Sequence, residues 1–276
     1  MTSFVVAVSG GVDSVVLLDM MARRGQDDIV VAHVDHGIRP DSFKDARFVE
    51  SLARHYRLPF ETIRYELGLG ASEEVARRAR YDFLRRIAKK HHATIVTAHH
   101  SDDVVESIAI HVFRGTGWRG LATHDSDITR PLLGVNKQRL RQYAERRCLA
   151  WREDETNESD AYLRNRIRKH LKEVPQAHKD ELLVLRRRQL AYKKAIDEEV
   201  KAVIEAGPNY SRYFLTHVPT KVALECLRAV TQTRLTRPQC ERVLHAIKTA
   251  ASGTRIEAGA GVTVHFTTRQ FSVALL

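Results

Sequence analysis

The chain has 276 residues, enough for one large domain and a small one, and 43% of them are hydrophobic, enough to bury a substantial core. No stretch approaches the roughly 18 uninterrupted apolar residues of a membrane helix, and the opening Ser3-Phe4-Val5-Val6-Ala7-Val8 lacks the basic flank and small-residue cleavage site of a signal peptide. With no such stretch, no membrane partner is expected; the cysteines, Cys148, Cys226 and Cys240, form no CxxC pair, which suits a reducing cytoplasm and argues against a cysteine-held metal.

The formal net charge is +11 and unevenly placed: residues 1–129 sum to −1, 130–172 to +6, 173–206 to 0 and 207–276 to +6. Two separated basic blocks fit a polyanion, against the alternative of a basic but ordinary surface.

In chain order, residues 3–9 form a short β-branched run bounded by glycines, the pattern of a strand buried on both faces of a parallel sheet. A helix is predicted over 12–24, stopped by Arg23-Arg24-Gly25. A buried strand over 29–34 follows. Next comes a helix over 41–57, with Phe43, Ala46, Val49, Leu52, Ala53 and Tyr56 on one face, and an alternating strand over 60–66. Ser72 is placed to cap a helix reaching about residue 90. A strand over 94–98 and a helix over 102–113 complete a rhythm that predicts an α/β domain with a parallel sheet.

Beyond residue 130 the pattern turns to charged helices over 136–147, 162–171 and 178–206. Gly207-Pro208-Asn209 is read as a break. After it come helices over 221–232 and 237–249, then short strands over 254–276 joined by glycine turns. The expected organisation is a catalytic domain with a basic helical part over 1–177, a helical linker over 178–206 and a small α+β module over 207–276.

The turn Ser9-Gly10-Gly11-Val12-Asp13-Ser14 stands between the first strand and the first helix. Its glycines allow a sharp turn and close backbone approach, and a helix start offers free N–H groups and the positive end of the dipole to an anion. Ser9 and Ser14 add hydroxyl donors. Asp13 would repel a bare phosphate, so it makes sense beside a bound cation. The GK[ST] ending of a Walker A loop and the GxGxxG of a dinucleotide site are both absent.

His33-Val34-Asp35-His36-Gly37 ends the second strand, and Thr97-Ala98-His99-His100-Ser101-Asp102-Asp103-Val104-Val105-Glu106 spans the end of the next buried strand and the helix after it. The carboxyl edge of a parallel sheet brings such segments together. Asp102 or Asp103 shares a helix face with Glu106. A transition-metal site is one reading. Acid–base and magnesium groups serving nucleotide chemistry is the other, and the neighbouring loop favours it. Asp102 could instead simply cap its helix.

The 9–14 loop resembles the PP-loop of ATP pyrophosphatases, which split ATP to AMP and pyrophosphate while adenylating a substrate. The ordered series is more specific: that loop, residues 33–39, Ala76-Arg77-Arg78-Ala79-Arg80-Tyr81, residues 97–106, Arg114-Gly115-Thr116-Gly117 with Gly120-Leu121, Arg130-Pro131-Leu132-Leu133, Asp154-Glu155-Thr156-Asn157 and Arg164-Asn165-Arg166-Ile167-Arg168. Together these resemble the tRNA(Ile)-lysidine synthetases over most of the first 170 residues. Ser107 departs mildly from the family's usual Thr, the residues after 207 resemble its middle module only weakly, and the 276 residues are expected to stop short of the further C-terminal module of longer members.

The resemblance implies an α/β PP-loop domain of the adenine nucleotide alpha hydrolase-like type, with a helical extension and a small α+β module. It implies a ligase that adenylates the C2 oxygen of the wobble cytidine in a CAU anticodon and then adds free L-lysine. The implied cofactors are ATP and Mg2+, and the partner is tRNA(Ile); a homodimer is a compatible assembly.

On the residues, Ser9, Gly10, Gly11, Val12, Asp13, Ser14, His33, Arg77 and Arg114 are the expected ATP contacts, with Asp13 on magnesium. Asp13, Asp35, Asp103, Glu106 and Arg80 are the expected catalytic groups. His99, Asp103 and Glu106 would meet lysine, and Arg130, Arg164, Asn165, Arg166 and Arg168 the tRNA. For Arg77 and Arg80 a solvated helix face is the competing reading. The rivals are a tRNA thiolation enzyme of the same superfamily, disfavoured by the lack of paired cysteines, a GMP synthetase, disfavoured by the lack of room for a glutaminase, and a non-catalytic RNA-binding relative, disfavoured by the intact loop.

Overall fold

A computed structural model describes residues 2–25, 28–37, 40–68, 72–153, 163–204 and 207–276. The chain forms two units, Met1–Gln189 and Leu190–Leu276. The motif Asp154-Glu155-Thr156-Asn157 and Arg39 lie outside the described residues.

The first unit runs β1 (Ser3–Ala7), α1 (Val12–Arg24), β2 (Asp28–Asp35), a 3-10 turn (Pro40–Ser42), α2 (Phe43–Tyr56), β3 (Phe60–Arg64), α3 (Glu73–Lys90), β4 (Thr94–Val96), α4 (Ser101–Phe113), a second 3-10 turn (Trp118–Leu121), α5 (Lys137–Arg146) and α6 (Leu163–Glu173). Its sheet is wholly parallel in the order β3-β2-β1-β4, with Val5 in register with Val30 on one side and Ile95 on the other. Strand alternation splits the core into two layers. Val6 and Val31 face α1, α2 and α5 through Val16, Leu17, Val49, Ala53, Leu140 and Ala144. Val5, Val30 and Ala32 face α3 through Phe83, Leu84 and Ile87. Both faces are thus covered, which is why the central strands read as continuous apolar runs.

A buried carboxylate ties three helices on one face. Asp19 of α1 accepts hydrogen bonds from Tyr56 Oη of α2 at 2.7 Å, Tyr143 Oη of α5 at 2.7 Å and Arg23 Nε at 3.0 Å. Gly25, with φ of 64°, ends α1, and the Ser72 hydroxyl accepts the Val75 amide to cap α3.

Helix α7 (Gln176–Val203) crosses the boundary between units. In the second unit, Ile196, Val200 and Ile204 join the core of β5 (Asn209–Ser211), α8 (Arg212–His217), α9 (Thr220–Val230), α10 (Arg237–Thr249), β6 (Arg255–Gly259), β7 (Val262–Phe266) and β8 (Gln270–Leu275). The boundary therefore falls inside α7, ahead of the break expected at Gly207. The apolar i, i+4 spacing of Ile196, Val200 and Ile204 makes the end of the expected linker part of a packed core rather than a spacer. The four strands form an antiparallel sheet in the order β5-β8-β7-β6, centred on fully buried Phe266 and Phe271.

Candidate active site

Because β2 and β3 extend the sheet to one side of β1 and β4 returns to the other, the chain reverses direction between β1 and β4. Loops at such a switch point splay apart and leave a crevice at the carboxyl edge. A cavity of about 430 Å³ occurs there, walled by the loop after β1, the end of β2, Arg80 and Tyr81 of α3, and Thr97, His99 and Asp103 after β4.

The 9–14 loop is held by its own serines. The Ser14 hydroxyl donates to Gly11 O at 2.9 Å and lies 3.2 Å from both the Ser9 amide and the Ser9 hydroxyl. Gly10 adopts a φ of 95°, open to glycine and strained for other residues. Gly11 precedes α1 without a side-chain cap, which leaves the Val12 and Asp13 amides to an incoming anion.

Asp13 projects into the cavity from the first turn of α1. Its Oδ1 is buried with no hydrogen-bond partner, while Oδ2 lies 3.5 Å from His100 Nε2 and 4.0 Å from Lys137 Nζ. His100 is 5% exposed, and its ring sits 3.5 Å from each of Asp13, Asp102 and Asp103, at ion-pair rather than hydrogen-bond separation. Burial opposes its protonation, but Asp102, Asp13 and Asp103 outweigh that and push it up to about 10. Three carboxylates around one imidazolium leave an excess of negative charge facing the crevice, attractive to a cation. Asp102 Oδ2 also accepts the Lys137 amide at 2.8 Å, and Asp103 Oδ2 accepts the His100 amide at 2.9 Å, so these acids fix the starts of α5 and α4 as well.

The adjacent histidine behaves oppositely. His99 Nδ1 lies 2.8 Å from Thr97 Oγ1, and burial, with His124, Arg130, Arg80 and Arg77 nearby, brings its pKa down to about 3. His124 approaches the His99 ring at 5.3 Å, bonds Ser107 Oγ at 3.0 Å and is likewise lowered by burial, to about 4. A neutral imidazole, His99 with His124 beside it, and a charged one, His100, thus follow each other in the turn between β4 and α4.

The end of β2 is more structural. His33 Nδ1 bonds Val8 O at 2.8 Å, tying β2 to the loop, and burial lowers its pKa; its Nε2 is buried without a partner. Asp35 lines the cavity, but Oδ1 accepts the Gly37 amide at 2.9 Å and Oδ2 accepts Arg64 Nη1 at 3.2 Å.

Other expected residues lie elsewhere. Arg80 is in the cavity wall, whereas Arg77 is exposed with its guanidinium 4.9 Å from the Tyr81 ring. Arg114 is exposed at the end of α4, outside the cavity wall. Glu106 is 3% exposed, outside the wall, and its carboxylate accepts Arg164 Nε and, at 2.9 Å, Arg168 Nε. Arg164 and Arg168 are thereby joined to α4. Asn165 is half-buried and Arg166 exposed. Arg130 Nη1 braces its own loop through His124 O, Ser126 Oγ and Ile128 O.

The sequence reading gave no role to His100, although it noted the pair His99-His100, or to Lys137 and His124, which only the fold carries to the site. Among the described residues no group of three or more His, Cys, Asp or Glu side chains is arranged to hold a metal ion by itself. One orphaned carboxylate oxygen beside an anion cradle does suit magnesium, which takes one or two carboxylates plus phosphate oxygens and water.

An open parallel sheet with a crevice at its switch point defines an α/β domain of the kind whose ligands sit at that edge. The particular family follows from comparison with known proteins: the PP-loop domain family matches residues 1–174, and the chain belongs to it. A tRNA(Ile)-lysidine synthase of Bacillus cereus is 42% identical over 200 residues, covering 64% of this chain and 42% of that protein. The Thermus thermophilus enzyme of the same name is 42% identical over 172 residues, covering 59% and 34%. The chain thus spans less than half the length of these relatives. A solved U34-tRNA thiolase, NcsA, from Methanococcus maripaludis superposes with a TM-score of 0.57 at 15% identity, covering 68% of this chain and 71% of that one, a likeness of fold alone. No helix among the described residues is long and apolar enough to cross a membrane.

Proposed function

We propose that this chain is a carbon–nitrogen ligase acting on tRNA(Ile) with a CAU anticodon, using ATP and free L-lysine to convert the wobble cytidine to lysidine, which changes decoding from Met to Ile. The observation that carries the reading is the orphaned Asp13 oxygen, set between an uncapped helix start and the cluster of His100, Asp102 and Asp103. The 42% identity to tRNA(Ile)-lysidine synthases supports the choice of substrates.

In the first step cytosine O2 attacks the α-phosphorus of ATP and pyrophosphate leaves. Ser9, Gly10, Gly11, Val12 and Ser14 hold the leaving phosphates against the dipole of α1, and Arg80 takes the negative charge of the adenylate. His33 positions the loop through Val8. Magnesium, held by Asp13 together with phosphate oxygens, would offset the charge of the pyrophosphate. In the second step the lysine ε-amine attacks C2, the C2–O2 bond breaks and AMP leaves. That amine has a free pKa of about 10.4 and must lose protons to attack. Asp103 orients the ammonium and accepts a proton, with neutral His99 beside it so that no second positive charge opposes entry. Asp35 steadies the β2 edge. Glu106 acts as a positioning residue that ties α6 to α4 through Arg164 and Arg168.

The target base must be splayed out to reach such a crevice. Arg166, Asn165 and the basic second unit serve the tRNA body; contacts of that kind position without specifying sequence.

The test is AMP release from ATP with and without tRNA and with and without lysine, with mass analysis of the product nucleoside. The reading requires both co-substrates and a nucleoside heavier by lysine less water. Sulfur incorporation, or AMP release indifferent to lysine, would overturn it.

A further inference from the structure

The second unit has an open hollow of about 690 Å³ between α8, the end of α10 and the turn joining β7 to β8. Its lining includes Arg212, Lys248 and Arg269 and no carboxylate. The floor is rigid: Arg212 donates to Ile247 O at 2.8 Å, Ala250 O at 2.7 Å and Thr267 O at 2.7 Å, joining α8 to both other walls and keeping its positive charge in place. Lys248 and Arg269 are exposed and pair with no acid among the described residues. The acidic residues of 207–276 are Glu225, Glu241 and Glu257; Glu225 is paired with Arg228 and Glu241 with Arg237.

Tyr213 stands at the rim. Its neighbours Tyr210 and Phe214 turn into the core, but Tyr213 is 72% exposed, so packing does not account for an aromatic side chain there. One ring face is stacked on His217, with centroids 3.9 Å apart and planes 25° apart. The His217 ring is held in turn, Nδ1 donating to Tyr213 O at 2.8 Å. The result is a pre-set two-ring platform with one face open to solvent.

An aromatic platform beside fixed cations, with no acid near, has the chemistry of a single-stranded nucleic acid site: the π-face accepts any base and the cations take the phosphates. We propose that this hollow binds an unpaired RNA nucleotide, its base stacked on Tyr213 and the flanking phosphates on Lys248 and Arg269. The inference rests on the RNA substrate proposed above and locates a second contact with it, inside the unit that carries none of the catalytic groups.

The test uses the full chain and a 4-thiouridine-containing single-stranded RNA, with a duplex of the same sequence for comparison. Irradiation should cross-link the single strand to the peptide carrying Tyr213. Tyr213→Ala should weaken single-strand binding about tenfold, the effect of one lost base–aromatic stack, while Tyr213→Phe keeps affinity within about twofold. Reversing Lys248 and Arg269 to Glu should make the salt dependence of log affinity shallower by about 1.4, roughly 0.7 per phosphate contact on a single strand. Melting temperatures of the variants serve as the folding control, since none of these side chains is buried. Cross-links confined to the first unit, or equal binding by Tyr213→Ala, would overturn this inference alone if the full chain still releases AMP with tRNA and lysine. Stronger capture of the duplex, unaffected by Tyr213→Ala, would also overturn it. A full chain that binds no RNA and releases no AMP would overturn both it and the proposed function.

Discussion

The tie between α4 and α6 makes an asymmetric prediction about stability. The Glu106 side chain is 4% exposed, whereas Arg164 and Arg168 are 25% and 38% exposed. Replacing both arginines by Met strands a carboxylate in the interior, and removing the partners of a buried ion costs about 3–5 kcal/mol. Replacing Glu106 by Gln does less harm. Both guanidinium groups can turn toward water, and the amide oxygen still accepts one N–H, so the loss should be about 1–2 kcal/mol. Adding Glu106→Gln to the double arginine variant removes the stranded charge and should return about 2 kcal/mol. Urea denaturation followed by tryptophan fluorescence measures these differences in the right place, since Trp118 and Trp151 are the chain's two tryptophans and both lie in the first unit. A Glu106→Gln loss as large as that of the double arginine variant, or a triple variant no more stable than the double, would refute the argument. If Glu106→Gln instead keeps its stability and loses all use of lysine, Glu106 meets the amine directly.

Asp13→Asn should abolish AMP formation while tRNA affinity stays within about twofold, because an amide cannot supply the anionic oxygen beside the phosphates; AMP release at the wild-type rate removes Asp13 from the mechanism. Arg80→Ala should lower AMP formation at least about tenfold through lost adenylate contacts, and Arg77→Ala should leave it nearly unchanged; equal effects in steady-state assays would contradict the placement of only Arg80 in the cavity wall. Tyr143→Phe should cost about 1–3 kcal/mol by removing a hydrogen bond to buried Asp19. Burial alone would raise that carboxyl, but bonds from Tyr56, Tyr143 and Arg23 hold it below its ordinary value, so its contribution is full above about pH 4 and is lost as the pH falls. The variant should therefore show a shallower acid-side loss in urea titrations, and an unchanged slope would count against the network. Gly37→Ala should destabilise by about 1–3 kcal/mol, since φ is 62° and a Cβ there would lie 2.3 Å from Tyr65 O; thermal melting equal to wild type would show that the turn relaxes.

How much was legible beforehand differs along the chain. The apolar runs at 3–9 and 29–34 and the turn chemistry of Gly10, Gly11 and Ser72 act over a few residues, so sequence sufficed to place the parallel sheet and the loop at the start of α1. The C-terminal strands were similarly legible from their glycine turns. The short β5 was not, because three residues carry no period of their own and pair only through β8.

Side-chain partnership across the chain was decided by the tertiary structure alone. The spacing of Asp103 and Glu106 on α4 puts both near one face, yet one lines the crevice and the other is buried against α6, whose arginines arrive from 58 and 62 residues away. His99 and His100 are adjacent and chemically identical, but in the turn between β4 and α4 one meets a shell of burial and cations and the other three carboxylates, separating them into a neutral and a charged group. Local sequence determines which backbone forms and which residue types reach the sheet edge. Charge state and availability depend on desolvation and on groups distant in sequence, and these exist only once the chain has folded.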